Sequence, residues 1–373
     1  MIIKFSLIFI IVLYIIYILY KITTNYWFIQ PVFHYYDLHY YFKPNGTIIS
    51  NEFAKVNKYC NFKNIKTIEY SKINEKIMDD IILFLTNNWS NNYKPKKIDI
   101  IPYFKGHNKK SYFGLYYDNN NLVSFFCTVP LIMKINNNTH ILTYADKLCV
   151  DYNYRKKGLA SQQIETMIHH IENKQNKSII ALFERFYEPS LVKPSCNYSI
   201  CKYDILFDNF DYSNNTAIRC NNKNIKMIYN NINNNTKFDV TIIPCYDNII
   251  QLIKNKILFI YYIKNNDNID AIYIFEKSSV YLKGTECLSF IGSINYTDNN
   301  TFINGFMSAL QQIFTNNTNF GYIVIKNISF NNIIIDNNIS IIKKDIDARV
   351  DIAFYFRNII IHPVKPNKFF FIN

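Results

Sequence analysis

The residues best suited to chemistry lie in the stretch 146–171, DKLCVDYNYRKKGLASQQIETMIHHI. An apolar strand end, LCV, precedes a basic turn, and apolar residues at helical spacing follow that turn. The turn contains three consecutive cations: Arg155, Lys156 and Lys157. Two small residues come next: Gly158 directly after the cations, and Ala160 two positions later. Positive charge and small side chains are therefore expected where a helix begins.

A helix start of this kind can bind an anion. The first backbone N–H groups of a helix have no partner within it, and the helix dipole adds partial positive charge. Gly158 and Ala160 would let an anion approach that backbone closely, while the cations would add longer-range attraction. The spacing predicts a pyrophosphate-type site, and a solvated basic helix start without a ligand is the alternative.

The segments around this turn predict an α+β fold. The first half predicts a helix over 73–89, a hairpin over 111–135, a strand over 140–150, the helix of the basic turn to about 175, and a strand over 177–186. The second half predicts strands over 237–246, 256–265, 270–277, 287–294 and 320–328, and a helix over 301–317. Both halves show the order hairpin, strand, helix, strand, which favours an internal duplication. A boundary is expected in the Asn-rich region 205–235.

Composition and charge narrow the class of function. The net charge of +13 suits a polyanionic partner such as nucleic acid, anionic lipid or the phosphates of CoA. The lysines are spread along the chain without a basic stripe, so no nucleic-acid partner is expected. The eight cysteines form no CxxC pair, so no metal site is expected. Buried free thiols in a reducing compartment are favoured, although the even number leaves disulfides open.

The N-terminus, MIIKFSLIFIIVLYIIYILYK, has no charged residue from Phe5 to Tyr20. A helix over 1–21 would come close to the thickness of a bilayer core, about 30 Å, with Lys4 reaching the interface. A single-pass transmembrane anchor over 1–21 is therefore expected, and a buried core helix is the alternative.

The chain resembles a known superfamily at the residues around the basic turn. The hairpin, the strand ending in LCV, the turn and the helix resemble acetyl-CoA-dependent (GNAT-like) N-acyltransferases, in which Q/R-x-x-G-x-G/A holds the CoA pyrophosphate. LCVDYNYRKKGLAS resembles the N-myristoyltransferase signature LCVHKKLRSKRLAP. Four further segments resemble that family in the same order along the chain: YWFIQPV at 26–32, SFFCTVPLIMKI at 124–135, CNY at 196–198 and the closing segment 354–373.

The resemblance implies two tandem GNAT-like halves with mixed, mostly antiparallel sheets. An acyl-CoA-binding half is expected over 22–215 and a peptide-binding half over 216–373. The implied activity is transfer of a long-chain fatty acyl group, myristoyl in that family, from acyl-CoA to the N-terminal glycine amine of peptides or proteins. Acyl-CoA would be a co-substrate, with no permanently bound cofactor. The chain is expected to be a membrane-anchored monomer whose catalytic domain faces the cytosol, where acyl-CoA is present.

The resemblance also implies residue roles. The backbone N–H groups of Lys147 and Leu148, at a strand bulge, would form the oxyanion hole for the thioester, and such donors act whatever side chain they carry. The terminal carboxylate of Asn373 would accept the proton of the amine, since an apolar tail that buries it would raise its basicity. An exposed, idle terminus is the alternative. The residues expected to contact CoA are Tyr26, Trp27, Leu148, Cys149, Val150, Arg155, Lys156, Lys157, Gly158, Leu159 and Ala160.

The sequence departs from the family pattern at several positions. Lys147 stands where the family has phenylalanine, and 184–186, Glu-Arg-Phe, stand where it has a threonine and a glycine bordering the peptide groove. Two other hypotheses follow from these departures. The chain could be a GNAT-type N-acyltransferase with a different acyl chain or amine, or an inactive membrane or virion protein that retains the fold.

Overall fold

The computed structural model describes residues 2–136, 138–186, 191–211, 216–266, 268–316, 319–337 and 339–373, with side chains described for all but 2–7, 21–24 and 345–348. The described helices are α1 (Ile2–Thr24), α2 (Glu75–Asn88), α3 (Lys97–Ile100), α4 (Leu159–Gln175), α5 (Ile225–Asn233), α6 (Tyr246–Lys254), α7 (Asn299–Asn316) and α8 (Asn332–Asp336).

The described strands form a single mixed sheet. They are β1 (Ile65–Glu69), β2 (Tyr112–Asp118), β3 (Asn121–Ile135), β4 (Asn138–Val150), β5 (Ala181–Arg185), β6 (Cys196–Ile205), β7 (Ile218–Arg219), β8 (Val240–Ile243), β9 (Leu258–Asn265), β10 (Asn268–Leu282), β11 (Thr285–Asn295), β12 (Phe320–Lys326), β13 (Ile342–Arg357) and β14 (Phe369–Phe371). Their order is β1-β2-β3-β4-β5-β13-β6-β12-β11-β10-β9-β7, and β8 pairs with β3 and β14 beside this path. The α+β class and the mixed sheet are therefore confirmed.

The sheet contains the same unit twice. In the first unit, β2, β3 and β4 are antiparallel neighbours, and α4 connects β4 to the parallel strand β5. In the second, β9, β10 and β11 are antiparallel neighbours, and α7 connects β11 to the parallel strand β12. A parallel pair requires a crossover of this kind, which explains why each unit has one long helix between its last two strands. The repeated order expected from the sequence is present.

The two units exchange their last strands. β6 follows the first unit in sequence but pairs with β12 of the second, and β13 follows the second unit but pairs with β5 of the first. β6 and β13 also pair with each other at the centre of the sheet. Hydrogen bonds therefore cross the boundary proposed at 215/216, which itself stays a prediction.

Apolar faces of the two crossover helices pack on the sheet. Met167, Ile168 and Ile171 of α4 are buried against Tyr112 and Phe126. Phe302, Phe306 and Leu310 of α7 are fully buried in the core of the second half. The eight cysteines are all free, as expected, and all but Cys60 are buried.

The N-terminal segment forms helix α1. Within the part of the chain that the structure describes, no helix combines the length and the hydrophobicity needed to cross a membrane. The structure therefore gives no support to the anchor expected over 1–21.

Candidate functional site

A bulge in β4 lies at the centre of the candidate site. Phe125 of β3 is opposite Cys149, and Cys127 is opposite Asp146, so two residues of β4, Lys147 and Leu148, face one residue of β3. Lys147 has a φ of +52°, a left-handed conformation that is uncommon for residues other than glycine. The bulge is therefore at the two positions that the resemblance implied. A bulge redirects the backbone N–H groups of its strand away from the regular ladder.

An apolar cavity of about 560 Å³ lies where β4 and β5 stop pairing. The two strands pair only at Thr143 with Ala181 and at Tyr144 with Leu182, although both continue beyond these residues. The lining comes from β4, β5 and the buried face of α4. It includes Ala145, Leu148, Phe183, Ile164, Met167 and Ile171. A lining of this kind favours an apolar ligand.

The N-terminal arm closes one side of this cavity. Trp27 stacks on Phe183 with ring centroids 4.8 Å apart, and Tyr26 also lines the cavity. The Tyr26 hydroxyl donates to Glu165 of α4 at 3.0 Å, and the Gln30 amide donates to the same carboxylate oxygen at 2.8 Å. Burial, reinforced by this carboxylate, raises the pKa of Tyr26 well above its usual value. The arm is thus fixed on α4 by buried hydrogen bonds.

Arg357 extends this network to the C-terminal half. Its guanidinium donates to Gln30 at 3.2 Å and to Glu172 of α4 at 3.1 Å, and it lines the cavity. Both ends of the Arg357–Glu172 pair are buried. Arg357 therefore links β13 to α4 and to the arm. Its removal would leave the Glu172 carboxylate buried without its partner, which is costly.

Helix α4 begins beside the cavity. Its N-cap, Gly158, has a φ of +75°, and no side chain among the described residues caps the first turn. Ala160 and Ser161 of that turn line the cavity. An added Cβ at Gly158 would have no neighbour within 4 Å, so this position needs glycine for its backbone conformation and not for space. The free N–H groups expected for an anion site are therefore present at the edge of the cavity.

Two cations of the basic turn, Arg155 and Lys157, have local partners. The Arg155 guanidinium donates to the carbonyl oxygens of Val150 at 3.0 Å and Asn88 at 2.8 Å. The Lys157 ammonium lies 5.2 Å from the centroid of the Tyr154 ring. Arg155 therefore joins the turn to the end of α2, a structural role that its place in the motif did not reveal.

The predicted contact residues divide into two groups. Four line the apolar cavity, as does Lys147, which was expected in the oxyanion hole: Tyr26, Trp27, Leu148 and Ala160. The others do not line it: Cys149, Val150, Arg155, Lys156, Lys157, Gly158 and Leu159. Cys149 belongs to the main core, and Leu159 packs with Ile65 and Val123. A role of this second group in CoA binding stays a prediction.

A smaller, charged cavity of about 250 Å³ lies on the other side of the bulge. Tyr144, Asp146, Lys147 and Trp89 line both cavities. The charged cavity is also lined by Tyr103, Glu276, Lys326 and Asn373. The bulge thus stands between an apolar space and a polar one.

Lys147 and Asp146 are tightly associated at the bulge. The backbone N–H of Lys147 donates to Asp146 Oδ1 at 2.8 Å, and its ammonium forms an ion pair with Asp146 Oδ2. Burial acts to lower the pKa of Lys147, but Asp146, Tyr93 and Cys127 together outweigh it, so the net pKa lies above the usual value and Lys147 stays cationic. A ligand oxygen that used the Lys147 N–H would have to replace Asp146 there.

The apolar C-terminal tail places Asn373 in the charged cavity. β14 pairs in parallel with β8, and the Ile372 N–H donates to the Ile242 carbonyl at 2.9 Å. The four residues before Asn373 are all buried. The tail therefore runs inward, and Asn373 lines the same cavity as Lys147.

Three polar residues near the cavities were not assigned from the sequence. Glu184 lines the apolar cavity and accepts from the hydroxyls of Tyr144 at 3.2 Å and Tyr198 at 2.9 Å. Glu276 and Tyr103 line the charged cavity and are hydrogen-bonded to each other. Glu276 carried a usable signal, because it is a charged residue at the end of the apolar run AIYIFE.

These features define a class of α+β fold. One mixed sheet contains two crossover units that exchange strands, and in one unit the parallel strands separate beside a cavity. Among solved structures, the chain is similar to Saccharomyces cerevisiae N-myristoyltransferase with bound myristoyl-CoA, at a TM-score of 0.70 and 12% identity, covering 92% of this chain and 94% of that one. A second structure of that enzyme, with bound myristoyl-CoA and inhibitors, gives a TM-score of 0.73 at 12% identity, covering 92% of each chain. The resemblance expected from the sequence is thus confirmed for the fold.

No protein-family model matches the sequence, and no curated protein sequence matches it significantly.

Proposed function

We propose that the chain is an acyl-CoA N-acyltransferase that transfers a long-chain acyl group of the myristoyl type to the N-terminal glycine amine of a peptide. The observation that carries this proposal is the β4 bulge, which lies between an apolar and a charged cavity. The fold shared with yeast N-myristoyltransferase structures that contain myristoyl-CoA supports it.

The apolar cavity accounts for the acyl chain. Burying a methylene group stabilises a complex by about 0.8 kcal/mol, so a fourteen-carbon chain could contribute on the order of 10 kcal/mol before the costs of binding. The free first turn of α4, at Ala160 and Ser161, would bind the CoA pyrophosphate through backbone N–H groups. Lys156 and Lys157 lie just before that turn and would attract the phosphates at longer range.

The bulge would stabilise the thioester during attack. The thioester oxygen would accept from the N–H groups of Lys147 and Leu148, with Asp146 giving up its hydrogen bond to the first. The amine would enter from the charged cavity and form the new C–N bond. The carboxylate of Asn373 would accept a proton from the nitrogen and return it to the thiolate of CoA as the C–S bond breaks.

Purified protein tests this function directly. Release of the CoA thiol is measured with a glycine-initiated peptide and with acyl-CoAs of increasing chain length. We expect turnover with C14 acyl-CoA and a much lower affinity for acetyl-CoA. A preference for acetyl-CoA would instead favour a different GNAT-type activity, and absence of acyl-CoA binding would contradict the proposal.

An extension at the C-terminus tests the role of Asn373. A short Gly-Ser tag after Asn373 moves the terminal carboxylate out of the charged cavity, so turnover should fall about 100-fold, the lower range for loss of a proton-transfer group. The affinity for acyl-CoA should not change. The same tag at the N-terminus serves as the control, and unchanged turnover of the C-terminally extended chain would exclude Asn373 as the base.

A further inference from the structure

The charged cavity contains one carboxylate that neither the fold nor the proposed chemistry uses. Asp99 forms an ion pair with Lys277 at 2.7 Å, and Asp146 forms one with Lys147. Glu276 is different, because within the described part of the chain its hydrogen-bond partner is a neutral group, the hydroxyl of Tyr103. A carboxylate without a directly paired cation among the described residues is costly in a partly buried position, so a role in binding a positive ligand is the natural explanation.

Glu276 is connected to the bulge through a single side chain. The Tyr103 hydroxyl donates to Glu276 Oε1, and the Lys147 ammonium lies 5.1 Å from the centroid of the Tyr103 ring. Both residues line the cavity that contains Asn373. An amine that approaches the bulge from this cavity would therefore pass Glu276.

The groups that face Glu276 come from several elements. They are Tyr103, Asp146 and Lys147 on the first half, and Lys326 on β12. Burial raises the pKa of Glu276 above the usual value of a glutamate, although the charge of Lys326 and the hydrogen bond from Tyr103 act in the opposite direction. Its carboxylate is therefore a better proton acceptor than an exposed glutamate.

We propose that Glu276, oriented by Tyr103, binds the ammonium group of the incoming substrate and accepts its first proton. This inference rests on the proposed function. An N-terminal amine has a pKa of about 7.7–8.0, so it arrives mostly as the ammonium ion at neutral pH. Acylation removes two protons from that nitrogen. Glu276 takes the first and makes the neutral amine, and Asn373 takes the second as the C–N bond forms and passes it to the CoA thiolate.

The overall balance is simple. One ammonium ion and one acyl-CoA yield one amide, one CoA thiol and one proton, which the protonated Glu276 releases to water. No oxidant, metal ion or further reactant is required.

Substitution Glu276→Gln tests this inference. It keeps the size of the side chain but removes the charge and the proton acceptor, so kcat/KM for a glycine-initiated peptide should fall about 100-fold. The KM for the peptide should rise, while the affinity for C14 acyl-CoA changes less than about 2-fold. Glu276→Asp should restore part of the activity. Tyr103→Phe, which leaves the carboxylate unoriented, should reduce kcat/KM by an intermediate factor.

The pH profile gives an independent readout. Because the pKa of Glu276 is raised, kcat/KM of the unchanged protein should fall as the pH is lowered through that value, where the carboxylate becomes protonated. The Gln variant should lose this decline. Glu286→Gln is the matched control, since Glu286 is also buried with a raised pKa but is paired with Lys277 and does not line the cavity.

The outcomes separate the two proposals. If the unchanged protein neither binds acyl-CoA nor releases CoA, the proposed function fails and this inference falls with it. If it is active and Glu276→Gln retains its kcat/KM and pH profile, only the role of Glu276 is overturned. An equal loss of acyl-CoA affinity and turnover would show a structural role and would also overturn it. If Glu276→Gln does not fold, Tyr103→Phe decides by the same criteria.

Discussion

The two crossover units share one topology but differ in whether they can hold a ligand. In the first, β4 and β5 pair at two positions, and a cavity opens beyond them. In the second, β11 and β12 pair over five positions, from Glu286 with Phe320 to Phe290 with Ile325. The interior beside them is filled by aromatic rings, such as Phe290 and Phe306 with centroids 4.9 Å apart. The topology alone therefore does not make a site.

The crossover helices differ at their first turns as well. Helix α4 starts at Gly158 without a side-chain cap among the described residues. At the start of α7, the Asp298 carboxylate accepts from the N–H groups of Asn300 at 2.9 Å and Thr301 at 3.0 Å. The hydrogen bond from the Thr301 hydroxyl, together with these backbone hydrogen bonds, lowers the pKa of Asp298. The second unit thus supplies its own anion, while the first leaves its N–H groups without a side-chain cap among the described residues, as the proposed CoA site requires.

Filling the cavity of the first unit should have the largest effect, a loss of affinity for C14 acyl-CoA. Ala145→Phe places a ring in the cavity between β4 and β5, so about four methylenes of a C14 chain would lose their space. At about 0.8 kcal/mol for each, the affinity for C14 acyl-CoA should fall about 100-fold or more, while that for acetyl-CoA falls less. Binding is measured by calorimetry. Ile141→Phe on the same strand is the control, since Ile141 is exposed and does not line the cavity.

If Ala145→Phe left the C14 affinity unchanged, the acyl chain would not occupy this cavity, and the contrast between the units would lose its functional meaning.

Replacing one glycine in each unit by alanine tests how tightly the two units are packed. An added Cβ at Gly305 of α7 would lie 2.3 Å from the Tyr273 hydroxyl, whose ring is held in the core. At Gly114 of β2 the nearest atoms are the flexible ends of Met167, at 2.8 Å, and Gln163, at 2.9 Å. Gly305→Ala should therefore lower the free energy of unfolding by about 1–3 kcal/mol, and Gly114→Ala by less than about 1 kcal/mol.

Urea unfolding of both variants measures this difference. Tyr273→Phe combined with Gly305→Ala should recover part of the loss, because it removes the atom nearest to the new methyl group. Equal destabilisation by the two glycine variants would show that the first unit is packed as tightly as the second.

Substitutions in the basic turn should have the smallest effect on acyl-CoA binding. Replacing Lys156 and Lys157 by Gln should weaken acyl-CoA binding a few-fold at low ionic strength, and the difference should shrink at about 1 M salt because exposed charges are screened. Replacing Lys254 and Lys256, which are exposed on the second half, is the control. A difference that persists at high salt would indicate a direct, desolvated contact with the ligand.

Much of the fold could be predicted because local patterns match local structure. The helix expected over 73–89 is α2 (75–88), and the helix of the basic turn ends at Gln175 as expected. The strands β6 and β13 were not predicted. β13 contains the polar run KKDIDARVD, whose alternation is weak, and its position depends on partners far away in sequence. Pairing over such distances leaves little trace in a local pattern.

The site was predicted in part for a similar reason. The bulge at Lys147 and Leu148, the arm at Tyr26 and Trp27, and the inward tail of Asn373 belong to segments that carry the family resemblance. Arg155 instead donates to a carbonyl at the end of α2, 67 residues away in sequence, and Lys147 pairs with the residue directly before it, Asp146. A cation in a motif can thus serve the turn itself, and a sequence motif does not distinguish this from ligand binding.

The exchange of β6 and β13 has a consequence for synthesis of the chain. β5 precedes its neighbour β13 by the whole of the second unit, so it is synthesised well before that partner. Until then, β5 has an unpaired edge next to the apolar cavity, and edges of this kind tend to pair with other chains. The nascent first unit should therefore depend on chaperones, and the sheet can close only after β13 has been synthesised.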